Sequence, residues 1–409
     1  MTAEVAIMNT KGIALAADSA VTLGVGSGKI YNSADKLFAL SKYHPVGIMI
    51  YGSARFMGID WETIIKCYRD FLGDKSFDKL SEYEGDFINY LVKFPYFTEN
   101  QMVKYLESRC LDVFSDVLEV FIEDIHAEFD GKENIAHSQI DGVFNKALKT
   151  IKERMSNEED EKQIKLDTDF IDSHSEAIAQ MLGIVFEDYR LSKKQTAELT
   201  NILKLHFQKN GYINDYTGIV IAGYGEREIF PTLCDFRVSG KLGNSLIYFD
   251  RDMDQLDDTH TASICPFSQT DMVHQFVRGI DRGLYRTIMG KIDGILHSVA
   301  PYMNDPDKKK AAAVSDLVSE YIDKIMRIVH IDPIVDIVAV MEKEDLILMA
   351  EAMVNLTALK RRVSDDEESV GGPVDVALVT KSDGFIWIKK KTSYDPQLNR
   401  ELSQSYFRS

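Results

Sequence analysis

Long apolar runs are missing from this 409-residue sequence, as is an N-terminal basic stretch followed by an apolar core. The first absence excludes a bilayer-spanning helix, and the two together predict a cytoplasmic protein. Cysteine is scarce, and Cys67, Cys110, Cys234 and Cys265 lie far apart with neither CxxC pairs nor Cys/His ligand spacing. That pattern argues against a disulfide framework and a structural zinc site. Positive charge is also short: 47 Lys and Arg face 65 Asp and Glu, a net −18. Such a chain repels phosphate backbones and anionic lipid, so neither nucleic acid nor membrane is an expected partner.

The remaining composition is that of a globular protein. With 45% apolar and 27% charged residues, there is enough to bury for one large domain or two to three ordinary ones. Apolar runs at Ala3–Met8, Ile13–Ala17, Lys36–Leu40 and Val46–Tyr51 read as strands. From Ala54 to about Leu72 the period becomes helical, and residues 73 to about 205 are mostly helical with polar faces. Thr98 with Gln101 makes a capping box. Strand signals return at 218–223, 228–238 and 246–249, and a second helical block runs from Thr270 to about Arg362. A hairpin closes the pattern, Val374–Thr380 and Phe385–Ile388 about the turn Lys381–Gly384. Strands at both ends with helices between them predict stacked sheets covered by helices, the terminal strands pairing in the middle.

Gly24, Gly26 and Gly28 invite a nucleotide-loop reading that fails. A phosphate loop needs Gly at 23 and Ser or Thr at 30, where the chain has Leu23 and Ile30, and the spacing is not GxGxxG.

Thr2 is more informative. A small residue after the initiator Met is compatible with its removal, and an N-terminal Thr carries nucleophile and base on one residue. Its hydroxyl attacks, while an α-amine titrating near ~8 accepts the proton. Asp18 closes the second strand of the opening hairpin, alongside Thr2, and Lys36 opens the next strand. A lysine beside the hydroxyl favours its deprotonated form, and an aspartate orients that lysine. Taken singly, each also reads as an ordinary salt-bridge residue.

Over Thr2–Leu40, with AADSAVTLG and ADKLFAL, the sequence resembles the proteasome β-subunit family and its bacterial HslV-type relatives. These are threonine peptidases of the N-terminal nucleophile (Ntn) hydrolase superfamily. The resemblance implies Thr2 as nucleophile, Asp18 as its acidic partner and Lys36 as catalytic lysine. Ile48–Ala54 is similar to the family's strand-to-helix turn carrying the oxyanion hole, which implicates Gly52. Met49 replaces the family's glycine three positions earlier, leaving the backbone donor in place while its side chain narrows the substrate cleft.

Gly371–Gly384 resembles the family's closing GG-x-x-DVAVIT-x-DG hairpin. Counting back from Gly371 puts Glu367 where the family has a supporting Asp, with Asp366 or Ser369 as substitutes, and Val370 where it has a Ser. Pro266–Val273 resembles the turn supplying the remaining active-site serine, which assigns that role to Ser268; a plain helix cap by Ser268 or Thr270 is the alternative.

The likeness covers about 2–72, 176–290 and 340–390. It implies one α+β domain over 1–409, a four-layer αββα sandwich, with helical insertions at about 73–175 and 291–340. The implied function is hydrolysis of peptide or amide bonds through a Thr2 acyl-enzyme, with no metal or cofactor. The partners would be a peptide or protein substrate and further copies of the chain, a ring included. No residue points to an unfoldase. A non-catalytic ring scaffold of the same fold and an amidohydrolase of small-molecule amides are the rival readings.

Overall fold

Side-chain alternation sorts the first layer. In strand β1 (Ala3–Asn9) every residue is buried; Ala3, Val5 and Ile7 pack against helices, while Ala6 and Met8 face a second sheet. The computed structural model describes residues 2–23, 29–31, 34–130, 135–157, 166–209, 213, 215–299, 317–364 and 371–391. The glycine stretch 24–28 and Glu367, with Asp366, Ser369 and Val370, lie outside them.

After β1 come β2 (Gly12–Ala17), the short pair β3 (Val21–Leu23) and β4 (Lys29–Tyr31), β5 (Leu37–Ala39), β6 (Val46–Gly52) and the tiny hairpin β7 (Arg55–Phe56) and β8 (Ile59–Asp60). Seven helices follow: α1 (Trp61–Leu72), α2 (Leu80–Lys93), α3 (Glu99–Phe129), α4 (His137–Asn157), α5 (Thr168–Ser173), α6 (Ser175–Val185) and α7 (Lys193–Gln208). Strands β9 (Thr217–Gly223), β10 (Thr232–Leu242), β11 (Ser245–Gln255) and β12 (Ala262–Ser268) lead to α8 (Asp271–Arg278) and α9 (Arg282–Val299). Helix α10 is described over 317–326 and runs through a π turn (Arg327–Ile331) into α11 (Asp332–Val340). Then come α12 (Lys343–Val363), β13 (Asp375–Thr380) and β14 (Gly384–Lys389).

The architecture is mixed α+β, built on two five-stranded antiparallel sheets ordered β12-β1-β2-β13-β14 and β11-β10-β9-β6-β5. They pack face to face through Ala6, Met8, Leu15, Ala377 and Val379 on one side and Leu37, Met49, Val220 and Ala222 on the other. The strands near both ends of the sequence meet inside the first sheet, where β13 pairs with β2. Helices α8, α11 and α12 cover the outer face of that sheet, and α1 and α2 the outer face of the second. Helices α3 to α7 have a core of their own, centred on Phe114, Phe144, Leu199 and Phe207, which joins the second sheet through β10 and β11. No helix among the described residues is long and apolar enough to cross a membrane.

Four local readings change, one being that the strand expected over 228–238 runs over Thr232–Leu242. The helix expected from Ala54 begins at Trp61, because Met57 and Gly58 both take left-handed angles (φ 51° and 80°) and turn β7 back on β8. Strand β11 reaches Gln255 instead of ending at Phe249. Strand β12 was not expected at all: Pro266 interrupts its pattern, and it survives because β12 is an edge strand, where a missing N–H is tolerated.

Candidate active site

Three sequence-predicted residues converge where β1 begins, β2 ends and β5 is about to start. Lys36 donates from Nζ to Thr2 Oγ1 at 2.9 Å and to Asp18 Oδ1 at 2.7 Å. All three are buried, at 2%, 1% and 4% exposure for Thr2, Asp18 and Lys36. An ion pair removed from water contributes little net stability, so its presence calls for a reason other than stability.

Backbone fixes each member. Asp18 accepts N–H bonds from Ala3 (3.1 Å) at Oδ1 and from Ala20 (3.2 Å) and Gly371 (3.0 Å) at Oδ2, which locks its carboxylate. Ser19 N–H donates to Gly371 O, and Ala34 N–H to Ser19 O, tying the corner after β2 to both later segments. Lys391 Nζ donates to Ala34 O at 2.7 Å and pairs with Asp375 and Asp35 at 2.7 and 3.2 Å, holding the approach to Lys36. Thr2 O accepts from Gln269 N–H, and Ala3 stands opposite Ser268, so β12 fixes the start of β1 from the other side.

Ser268 is therefore next to Thr2 through the backbone; its side chain is exposed and its φ is +61°. Met49 does not narrow a cleft as expected: alternation along β6 turns its side chain into the core between the sheets, where it is fully buried opposite Leu37. Gly52 ends β6 with φ +84°, and a Cβ there would lie 2.6 Å from Tyr216 O. Ile50 donates its N–H to Lys36 O. Strand alternation then turns the Gly52 N–H to the same edge of β6, one step past Lys36, where β5 no longer pairs.

No family model matches the chain, nor does any curated protein. Among solved structures, the Anbu (Gly-1) mutant from Hyphomicrobium sp. strain MC1 aligns over 100% of this chain and 98% of its own. The identity is 9% and the TM-score 0.28, too low for an inference about fold or activity.

Sequence reasoning missed a second polar cluster beside the triplet. Glu4, two residues after Thr2 and on the same face of β1, is 1% exposed, and neither carboxyl oxygen has a hydrogen-bond partner among the described residues. Burial pushes its carboxyl well above the usual carboxylate range; Lys36 pulls it back, and Asp18 and Asp235 push it further. The signal was present, as one acid inside the apolar run of β1. Tyr51 donates from its hydroxyl to Asp235 at 3.2 and 3.3 Å and stacks on Phe267. Its ring occupies the space a side chain at Gly218 would need, an added Cβ there falling 1.9 Å from Tyr51 Cζ. Desolvation raises Asp235 to about 7, opposed by the Tyr51 hydrogen bond and by Arg237. No group of three or more His, Cys, Asp or Glu suited to a metal occurs among the described residues.

Proposed function

We propose that this chain is an Ntn-type threonine hydrolase that cleaves peptide or amide bonds through a Thr2 acyl-enzyme. The observation carrying the reading is the Lys36 ammonium placed between Thr2 Oγ1 and Asp18 in a buried setting. The reading needs the Met1–Thr2 bond cleaved, so that the free α-amine of Thr2 takes the hydroxyl proton as Oγ1 attacks. Lys36 stabilises the developing alkoxide, and Asp18 orients Lys36. The Gly52 N–H is the donor we assign to the tetrahedral oxyanion, with buried Met49 supporting β6 from beneath. Ser268, next to Thr2 across the β1–β12 ladder, is assigned to the amine side together with Glu367. Protonation of the leaving amine by the α-ammonium releases the first product, and water attacking the ester returns Thr2.

The domain is taken as one unit over 1–409, its helical excess at about 73–175 and 291–340. A homo-oligomer belongs to the reading: α9 to α11 leave Ile295, Tyr321 and Val340 exposed, apolar surface suited to a second copy. A scaffold without catalysis has no use for a buried lysine hydrogen-bonded to Thr2, which is why the catalytic reading is preferred.

The test is intact and N-terminal peptide mass spectrometry of the purified protein, with and without a peptide epoxyketone directed at N-terminal threonine. The expected result is a chain starting at Thr2 that gains one inhibitor mass on that residue. A chain retaining Met1 and forming no adduct overturns the assignment.

A further inference from the structure

One strand away from Thr2 lies a cleft of about 430 Å³ lined by Tyr51, Asp235, Phe267, Ser268 and His274 among others. Ser268 at its wall pairs with Ala3, and Phe267 beside it pairs with Glu4. Glu4 itself lies roughly 7 Å along β1 from Thr2, on the same side of the strand. The cleft therefore begins where a substrate acylating Thr2 would rest its neighbouring side chain.

Its polar groups are unevenly satisfied. Arg237 pairs with Asp250 at 2.6 Å and lies over the Tyr216 ring; its Nε is buried without a partner among the described residues, and its charge already pulls the Asp235 carboxyl down. Arg282 is exposed and donates to His274. Asp254 accepts from Ser263, Cys265 and His260. Asp235, by contrast, has one phenol hydrogen divided over two long contacts, and Glu4, buried behind the lining, has no donor among the described residues. Two ionised carboxyls offer about eight lone-pair sites. Left unmade, such bonds cost free energy; filled by a cation, they become charge-assisted.

We infer that this cleft receives the cationic end of a lysine or arginine side chain of the substrate, held by Asp235 with Glu4 behind it. The inference rests on the threonine-hydrolase reading and adds its substrate class: peptides with a basic residue near the cleaved bond. A cation approaching Asp235 and Glu4 favours their ionised forms, so burial that is unfavourable in the empty cleft is offset when the substrate is bound. Tyr51 orients Asp235, and the stacked Phe267 lines the path for the side chain's methylenes.

The experiment compares rates of Thr2 modification, read by intact mass, for three peptide epoxyketones. They differ only in carrying lysine, norleucine or glutamate at the first or second position from the warhead. The lysine compound is expected to react ~10–100-fold faster than the norleucine one, and the glutamate compound slowest. In Asp235→Asn and in Glu4→Gln, each close in shape to the original, the lysine-to-norleucine ratio should fall toward one. Thr2 modified at equal rates by lysine and norleucine compounds overturns the cleft inference and leaves the hydrolase reading standing. The same follows if the lysine preference persists in both variants. No adduct with any of the three overturns both.

Discussion

Thr2 and Lys36 are 34 positions apart in the chain and 2.9 Å apart through their side chains. The contact depends on three segments that have no sequence proximity: the start of β1, the end of β2 and the approach to β5. Asp18 joins them, accepting backbone N–H bonds from Ala3, Ala20 and Gly371 as well as a hydrogen bond from Lys36 Nζ.

That division of partners makes Asp18 and Lys36 unequal in stability though similar in catalysis. Lys36→Met leaves the Asp18 carboxylate with three backbone donors and should cost ~1–2 kcal/mol. Asp18→Ala strands those donors and a buried ammonium together and should cost ~3 kcal/mol or more. Both should lower amide hydrolysis at least ~100-fold, the low end for a positioned charge or proton-transfer group. Urea denaturation alongside a fluorogenic amide assay checks this; equal stability losses would mean that the backbone bonds to Asp18 contribute nothing.

Gly52→Ala tests the assigned oxyanion donor. The new Cβ meets Tyr216 O at 2.6 Å, and φ +84° is unfavourable for alanine. We expect ~1–3 kcal/mol of destabilisation and a fall in kcat of ~100-fold or more as the N–H moves off the acyl oxygen. If kcat holds while the melting temperature drops, the donor lies elsewhere.

Asp235 gives the stability curve a sign. Its carboxyl titrates at about 7 in the folded chain, burial being the main cause, with Tyr51 and Arg237 lowering it and Asp252 and Asp250 raising it. Unfolded, it titrates near ~3.9. The folded state therefore holds the extra proton between those values, and stability falls as pH rises from about 4 to about 7. Asp235→Asn removes this penalty, so the variant should be more stable than the parent at pH 8, by ~2 kcal/mol after screening by water in the cleft. The gain should vanish near pH 4. Urea midpoints of both proteins across that range decide it, and a pH-independent difference would count against the raised value.

How much of this was legible beforehand follows from what pattern can carry. Strands β1, β2, β6 and β13 announce themselves because both their faces are buried and their apolar runs are unbroken. Thr2, Asp18 and Lys36 were named from local chemistry and a family likeness, and the structure brings all three together. Strand β12 stayed hidden behind Pro266, whose cost depends on sitting at a sheet edge, a property of topology and not of the local sequence. The Met57–Gly58 turn stayed hidden because methionine seldom takes positive φ. The meeting of Glu4, Tyr51 and Asp235 could not be read from spacing, since only the stacking of β1 over β6 and β10 creates it. The lone acid in β1 was still a visible anomaly.

Lys391 offers the last and most distant test of the site. It lies 355 residues beyond Lys36 in the numbering, yet its Nζ holds Ala34 O at 2.7 Å and pairs with Asp375 at 2.7 Å and Asp35 at 3.2 Å. Its side chain is 10% exposed and that of Asp375 only 2%, so removing the ammonium leaves a nearly buried carboxylate whose remaining donor among the described residues is the Lys391 N–H. Lys391→Met should then cost ~2–4 kcal/mol. It should also let residues 34–35 drift, shifting Lys36 relative to Thr2 Oγ1 and lowering kcat ~10-fold while KM changes little. Asp35→Asn, which touches only the longest of the three contacts, should change both quantities by much less. If Lys391→Met loses stability but keeps its kcat, the clamp serves the fold alone, and Lys36 is positioned by its strand pairing with Ile50.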